Sequence, residues 1–270
     1  MEPKKVMVVG GGVGGMEAAR VAKERGHDVE LYERDAVLSG NQIAAGMHDF
    51  KQDIRRLNEW YHRQIDELEI PVHFNCDVTP EFIKEKHPDA VILAVGGTAL
   101  MPKSIPGIDH PKSVCCTDAL LGKREVGDTV VIVGGGMVGC EIALDYAMKG
   151  KKVSIVEALP DIISAGGGAP WMNAMYMKKA LEKYKVDIYT SSKLASIDDE
   201  GAHIVAADDE TKCSTLAADS VVVAIGFRPN PSMAKELLGE GMEVYEVKHA
   251  NGIGNVMGAV WSAYEIARSL

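Results

Sequence analysis

Two short glycine-rich motifs contain the residues of this chain best suited to binding a ligand. Their glycines, each set spaced G-x-G-x-x-G, are Gly10, Gly12, Gly15, Gly134, Gly136 and Gly139. In such a motif the first glycine permits a tight turn, the second lets backbone N–H groups approach a pyrophosphate, and the third lets a helix pack closely on a strand. We therefore predict two dinucleotide sites.

A glutamate follows each motif, 23 residues after its first glycine: Glu33 in one case and Glu157 in the other. A carboxylate there accepts hydrogen bonds from an adenosine ribose and repels a 2′-phosphate. Residues 158–160, Ala-Leu-Pro, offer that phosphate no arginine, so the second motif is predicted to prefer NADH to NADPH. Arg34 follows Glu33, so the residues alone do not exclude a nucleotide with a 2′-phosphate at the first motif.

The elements that would hold these motifs are repeated at an offset of 124 residues. Continuous apolar runs are typical of parallel strands buried on both faces, and apolar residues at helical spacing that end at a glycine predict the helices. The predicted strands are residues 6–9, 29–32, 130–133 and 153–156, and the predicted helices are 13–25 and 137–149. Each copy is thus a βαβ unit.

A second repeat joins residues 89–96 with 219–226, so Gly96 and Gly226 both end a predicted buried strand. Further helices are predicted at 51–68, 171–184 and 257–270, with a strand near Val72. Residues 97–112 contain three prolines and are predicted to be an irregular connection. The glycines at 166–168 are interpreted as a hinge.

Composition excludes several classes of protein. The 270 residues are 46% hydrophobic and have a formal net charge of −10, which argues against disorder and against binding to nucleic acid. No signal peptide or membrane span is predicted, and the expected compartment is the cytoplasm. No cysteine spacing indicates a disulfide framework or a metal site. The five cysteines are Cys76, Cys115, Cys116, Cys140 and Cys213.

Two dinucleotide sites in one chain indicate hydride transfer from a nicotinamide to a flavin. The segments VVGGGVGGMEAA with LYER, AVGGTALMPKSIPG, VIVGGGMVGCEIA with IVEA, and AIGFRPNP resemble the pyridine nucleotide-disulfide oxidoreductase superfamily. Within it, the chain is similar to the C-terminal reductase half of dienoyl-CoA reductase, enoate reductase and trimethylamine dehydrogenase relatives. The resemblance covers nearly the whole chain.

This resemblance implies an α/β fold of two Rossmann-like dinucleotide-binding domains, glutathione-reductase-like, with the second inserted in the first. The implied FAD-binding domain is residues 1–113 and 229–270, and the implied NAD(H)-binding domain is 114–228. The first motif with Glu33 matches the FAD fingerprint, and the second with Glu157 matches the NAD fingerprint.

The resemblance also implies roles for single residues. Glu141 matches the family glutamate near the nicotinamide, although an exposed helix glutamate is equally expected and Glu17 holds the same place in the first copy. Gly96 and Gly226 match positions where the backbone passes close to a cofactor. Gly258 and Ala259 begin the last helix, whose N-terminal dipole would stabilise negative charge on a reduced flavin.

The sequence departs from the family pattern in two respects. Disulfide reductases of the superfamily place a redox cysteine pair beside the flavin, whereas Cys115 and Cys116 are adjacent and are interpreted as buried structural thiols. The family returns to FAD through a Gly-Asp pair, where this chain has Lys248-His249. The second departure leaves open whether FAD or only ADP occupies the first site.

We therefore predict an NADH-dependent flavin oxidoreductase module. It would pass a hydride from NADH to FAD, and the electrons onward to an iron–sulfur and FMN domain or subunit, or to a soluble acceptor. The chain would be either an excised or separately encoded part of a larger enzyme, or a protein that works alone. The alternative is a nucleotide-binding scaffold that holds ADP or nothing at its first site and has no catalysis of its own.

Overall fold

The structure is a computed structural model that describes residues 2–164, 169–209, 211–247 and 254–270. The proposed hinge at 166–168 and the Lys248-His249 pair lie outside these residues. The chain divides into two compact units. Unit 1 comprises residues 1–46, 51–98 and 228–270, and unit 2 comprises 47–50 and 99–227.

The elements of the first part of the chain belong mainly to unit 1. In chain order they are β1 (Lys5–Val9), α1 (Val13–Glu24), β2 (Asp28–Tyr32), α2 (Asn41–Ala45), α3 (Gln52–Glu67), β3 (Val72–His73), α4 (Pro80–Lys86), β4 (Ala90–Leu93) and β5 (Gly97–Ala99).

The later elements form unit 2 and then complete unit 1. They are β6 (Ser113–Cys115), α5 (Cys116–Leu120), β7 (Thr129–Val133), α6 (Met137–Met148), β8 (Lys152–Val156), α7 (Trp171–Lys183), β9 (Asp187–Tyr189), β10 (Ser192–Ile197), β11 (Gly201–Ala206), β12 (Cys213–Ala217), β13 (Ser220–Val223), β14 (Phe227–Pro229), a 3-10 turn (Ala234–Leu237), β15 (Glu243–Glu246) and α8 (Val256–Ser269).

Unit 1 is built on a parallel sheet with the strand order β15-β4-β1-β2-β3. Each residue of β4 is buried, as a strand covered on both faces requires. Helix α1 packs on this sheet with α3 and α8, and Ala263 and Ala267 of α8 are fully buried in the same core. The last helix of the chain therefore completes the core that the first strand begins.

Unit 2 repeats this plan with the parallel order β6-β13-β7-β8-β9. Its crossover from β9 to β13 is an antiparallel sheet, β10-β11-β12, where unit 1 uses α4 between β3 and β4. Ile132, Ile142 and Ile155 are fully buried in its core. The predicted fold class, two Rossmann-like α/β domains with the second inserted in the first, is confirmed.

The division between the units falls at 98/99, whereas the predicted cofactor domains divide at 113/114. Residues near 108 lie with unit 2, since the backbone at Gly107 approaches Ile197 so closely that an added Cβ would lie 1.9 Å from its carbonyl oxygen. The assignment of FAD and NAD(H) to the two domains stays a prediction.

The segment predicted to be an irregular connection contains one short strand, β5, which pairs with β14. These two strands lie where the chain passes from one unit to the other and back. Among the residues that the structure describes, no helix is long and apolar enough to cross a membrane.

Candidate functional site

The first glycine corner lies between β1 and α1 and is shaped by backbone contacts. Gly10 has a φ of +103°, and a Cβ on it would lie 2.4 Å from the carbonyl oxygen of Ala94. A Cβ on Gly15 would lie 1.7 Å from the carbonyl oxygen of Gly10. A Cβ on Gly12 would meet no atom within 4 Å. The corner therefore needs glycine at its first and third positions for packing, while the second faces open space.

The second corner, between β7 and α6, has the same construction. Gly134 has a φ of +108°, and its Cβ would lie 2.4 Å from the carbonyl oxygen of Ala224. A Cβ on Gly139 would lie 1.9 Å from the carbonyl oxygen of Gly134, and Gly136 again faces open space. Open space at the second glycine is what a backbone that receives a pyrophosphate requires.

A glutamate carboxylate is fixed beside each corner by backbone N–H groups. The N–H groups of Gly11 and Asp35 donate to Glu33 at 2.6 and 2.8 Å. Those of Gly135 and Leu159 donate to Glu157 at the same two distances. A carboxylate has about four acceptor positions, so both groups retain capacity for the hydroxyls of a ribose.

The glycines that follow β4 and β13 both have left-handed backbone. Gly96 has a φ of +62° and Gly226 a φ of +113°. A Cβ on Gly96 would meet no atom within 4 Å, and one on Gly226 would meet only the tip of Leu100, at 3.9 Å. Each lies at the carboxyl edge of its sheet, the edge at which ligands bind in open α/β folds.

The two equivalent glutamates, Glu17 and Glu141, have different surroundings. Glu17 is 4% exposed and accepts two hydrogen bonds of 3.0 Å from the guanidinium of Arg20. The residue three positions after Glu141 is Leu144, so this pairing within the helix is not repeated in unit 2. Glu141 is half-buried, and the structure does not test its predicted role.

The remaining residues predicted at the first site lie around its corner. Arg34 is exposed, with Nε 3.9 Å from the carboxylate of Asp35. Helix α8 begins at Val256, and the N–H of Gly258 donates to the side chain of the capping residue Asn255 at 2.9 Å. The methyl of Ala259 would be 3.7 Å from a Cβ on Gly14. The start of α8 thus covers the start of α1.

Of the two adjacent cysteines that the sequence predicts to be buried, only Cys116 is buried. Cys116 is 1% exposed, whereas Cys115 is partly exposed at the end of β6. The reason is that β6 is an edge strand of three residues, so its last side chain lies at the margin of the core.

Two contacts of buried side chains are not predicted from the sequence. Ser39 is fully buried with a φ of +88°, donates its N–H to the carbonyl of Gly11, and has its hydroxyl 2.9 Å from Nε2 of His62. In unit 2, His48 lies with Nδ1 3.6 Å from the buried carboxylate of Asp145. Neither side chain belongs to a local motif, so spacing gave no signal for them.

Two matched dinucleotide corners, each with a fixed carboxylate, define a class of protein: an oxidoreductase with two nucleotide-binding Rossmann units. The sequence pattern of the pyridine nucleotide-disulphide oxidoreductase family matches residues 4–253, and the chain belongs to this family. The predicted family and enzyme class are therefore confirmed, as are FAD and NAD(H) as the family's cofactors.

Three known proteins illustrate the relationship. Cinnamate reductase of Clostridium sporogenes is 38% identical over 99% of this chain and 39% of its own length. NADH oxidase of Thermoanaerobacter brockii is 34% identical over 98% of this chain and 40% of its own length. A solved 2-naphthoyl-CoA reductase superposes with a TM-score of 0.89 at 31% identity, over 100% of this chain and 40% of that one. The chain thus spans about two fifths of these relatives.

Proposed function

We propose that this chain is an NADH-dependent flavin reductase module in which unit 1 binds FAD and unit 2 binds NADH. The observation that carries the proposal is the doubled corner, with open space at Gly12 and Gly136 and a fixed carboxylate beside each. When bound, the two dinucleotides supply a hydride donor and a hydride acceptor, and no side-chain nucleophile is needed.

The chain's own residues would bind and orient the two nucleotides. Backbone N–H groups at Gly12 and Gly136 would face the pyrophosphates, and Glu33 and Glu157 would accept from the ribose hydroxyls. Because Glu157 is held by two backbone N–H groups, its negative charge cannot swing away from a 2′-phosphate. This fixed charge supports NADH over NADPH at unit 2.

Glu141 is proposed to lie beside the nicotinamide end of the nucleotide. It stands two residues after Gly139, the third glycine of the second corner. Glu141 is in the second turn of α6, and a carboxylate there can orient a bound amide by accepting its N–H. Gly96 and Gly226 are proposed to let the backbone approach the cofactors, with Gly258 and Ala259 near the flavin of unit 1.

The electrons are proposed to leave for an iron–sulfur and FMN domain or subunit, or for a soluble acceptor. The first possibility is supported by the relatives, of which this chain covers only about two fifths. The place of action is proposed to be the cytoplasm. A scaffold that holds only ADP is the second candidate, favoured by the replacement of the family's Gly-Asp pair with Lys248-His249.

Reconstitution with FAD distinguishes these two functions. The purified chain is mixed with FAD, separated from free flavin by gel filtration, and its absorption is recorded. We expect a flavin band near about 450 nm that NADH bleaches without oxygen at least about tenfold faster than NADPH. A chain that retains ADP but no flavin is a scaffold, and equal rates with the two nucleotides would contradict the role of Glu157.

Two matched variants assign the sites. An added Cβ meets no atom at Gly12 or at Gly136, so Gly12→Ala and Gly136→Ala should both fold. We expect Gly12→Ala to retain less flavin and to bind NADH normally. Gly136→Ala should retain flavin and bleach at least about tenfold more slowly at low NADH. The reverse pattern would mean that unit 1 binds NADH and unit 2 binds FAD.

A further inference from the structure

A residue with left-handed backbone lies against each glycine corner, at equivalent places in the repeat. Ser39 has a φ of +88°, and its equivalent in unit 2, Ile163, has a φ of +60°. The N–H of Ser39 donates to the carbonyl of Gly11 at 2.8 Å. The N–H of Ile163 donates to the carbonyl of Gly135 at 2.7 Å. Both units therefore use one left-handed residue to bind the carbonyl that precedes the second glycine of the motif.

This hydrogen bond sets the direction of an N–H group that would meet a phosphate. The peptide bond that joins Gly11 to Gly12 is trans, so its C=O and its N–H point in opposite directions. Because the C=O points at Ser39, the N–H of Gly12 is directed away from Ser39. Gly12 also pairs with Ser39 in a parallel β-bridge. The position of Ser39 thus fixes the plane of the peptide that would donate to a pyrophosphate.

The two left-handed residues are held by different contacts. Ile163 is 9% exposed and packs in the apolar core of unit 2. Ser39 is fully buried, and its Oγ lies 2.9 Å from Nε2 of His62 on α3. Left-handed backbone is unfavourable for a residue other than glycine, and a buried hydroxyl without a partner is unfavourable as well. His62 therefore favours the one conformation of Ser39 in which the hydroxyl has its partner.

We propose that His62 is a positioning residue for the nucleotide at the first corner and that it acts through Ser39. His62 holds the hydroxyl of Ser39, and the N–H of Ser39 holds the carbonyl of Gly11. The N–H of Gly12 is thereby kept in the direction of a bound diphosphate. The group recognised is the diphosphate of an adenine nucleotide, which FAD and ADP share. The inference rests on the nucleotide site proposed for unit 1.

Titration of the purified full chain with FAD tests the role of His62. His62→Leu removes the polar partner of Ser39, whereas His62→Gln supplies an amide that can pair with a hydroxyl. The dissociation constant is measured from the quenching of flavin fluorescence. We expect it to rise at least about tenfold in His62→Leu and less than about threefold in His62→Gln, because only the first leaves a buried hydroxyl unpaired. An unchanged constant in His62→Leu, or equal losses in both variants, would overturn the proposal.

The matched control is His27→Leu, which makes the same exchange at another buried histidine of unit 1. His27 is 3% exposed, and its Nδ1 accepts the N–H of Lys4 at 3.1 Å. It directly precedes β2 and so lies at the edge of the sheet opposite the glycine corner. We expect less than about a twofold change in the dissociation constant for FAD, since the exchange does not touch the peptide at Gly12. A loss equal to that of His62→Leu would contradict a specific role for His62.

The connection through Ser39 is tested in a Ser39→Gly background, because glycine adopts left-handed backbone without a side-chain contact. There, adding His62→Leu should change the dissociation constant less than about twofold, since no hydroxyl remains to be held. A tenfold loss in that background would show that His62 does not act through Ser39. Ser39→Ala keeps the unfavourable backbone without the hydroxyl, so it should weaken FAD binding as His62→Leu does. It tests the same contact from the other side if His62→Leu does not fold.

Titration with ADP separates this inference from the proposed flavin function. ADP is titrated by calorimetry into chains that also carry Gly136→Ala, so that binding at the second corner is weakened and the first corner is measured. A chain that binds ADP but not FAD contradicts the flavin function, and the His62 variants are then compared by their affinity for ADP. Equal binding of FAD by the natural chain and His62→Leu contradicts only the positioning role. A chain that binds neither nucleotide contradicts both.

Discussion

The two glycine corners of this chain have the same backbone and different surroundings. In each, a Cβ added to the first or third glycine would clash with a backbone oxygen, whereas one added to the second would meet no atom. In each, two backbone N–H groups also bind a glutamate, at 2.6 and 2.8 Å. Beyond the corner the copies diverge. Gly14 is buried under Val247 and Ala259 of unit 1, whereas its equivalent Val138 is 37% exposed.

The difference continues along the two helices. Glu17 is used in a salt bridge with Arg20, and the equivalent pair in unit 2 is Glu141 and Leu144. The comparison teaches that the ligand-facing backbone depends on steric limits that both units share. The helix surfaces depend on what each unit packs against them.

The largest expected effect is the loss of either packing glycine. Gly15→Ala and Gly139→Ala place a Cβ 1.7 and 1.9 Å from a backbone oxygen, so helix and strand must separate. We expect each to lower the free energy of unfolding by about 3 kcal/mol or more, measured in urea. A loss below about 1 kcal/mol in one variant alone would break the equivalence of the corners.

Substitution of the two equivalent glutamates should have a smaller effect on stability, and the effect should differ between α1 and α6. Glu17→Gln weakens a buried bidentate pair and leaves Glu24 as the remaining carboxylate partner of Arg20. We expect a loss of about 2–4 kcal/mol in the free energy of unfolding. Glu141→Gln, at a half-buried position, should cost at most about 1 kcal/mol. Equal losses would mean that Glu141 has the structural role of Glu17.

Acid unfolding should distinguish unit 2, where Asp145 occupies the position of Val21. Burial raises the pKa of Asp145, but the nearby His48 ring and the hydrogen bond from Lys149 outweigh it and leave the pKa below its ordinary value. A lowered folded pKa gives stability above the unfolded value of about 4 and loses it as the pH falls through the folded value.

Asp145→Asn should therefore be about 1 kcal/mol less stable than the natural chain at pH 7, and the difference should shrink below about pH 4. Urea unfolding of both proteins between pH 7 and pH 3 measures it. The conservative control is Val21→Ile in unit 1, whose effect on stability should not depend on pH. A difference in stability that stays constant with pH would show that the charge of Asp145 does not contribute to stability.

The smallest effect is expected at the open glycines. Gly12 and Gly136 cap α1 and α6 with an extended backbone that alanine can adopt. Gly12→Ala and Gly136→Ala should each cost about 0.5–1 kcal/mol, since alanine is the poorer capping residue. Thermal unfolding without nucleotide measures this, and a loss as large as that of Gly15→Ala would contradict open space at the second glycine.

The sequence predicted the repeated βαβ units well because their signals are local. The predicted helix at 13–25 is α1 (Val13–Glu24), and the predicted strand at 130–133 is β7 (Thr129–Val133). Helix α4 was missed although Thr79 and Pro80 are ordinary starting residues and Thr79 does cap it.

Other features could not be read from local spacing. Strand β15 has four residues and exists because β4 offers it an edge about 150 residues earlier in the chain. The left-handed backbone of Ser39 depends on Gly11 and His62, and the burial of His48 depends on Asp145. Contacts between distant segments decide these conformations. The roles proposed for the site residues stay predictions.

Because unit 2 is inserted between β4 and β15, the two units must fold in a fixed order during translation. Unit 2 is nearly contiguous, so most of it can close while the tail is still being translated. Unit 1 must wait for β15 and for Ala263 and Ala267, and until they emerge β4 remains a bare sheet edge beside an unfilled core. We expect nascent chains halted before residue 243 to present that edge to chaperones and to aggregate when released.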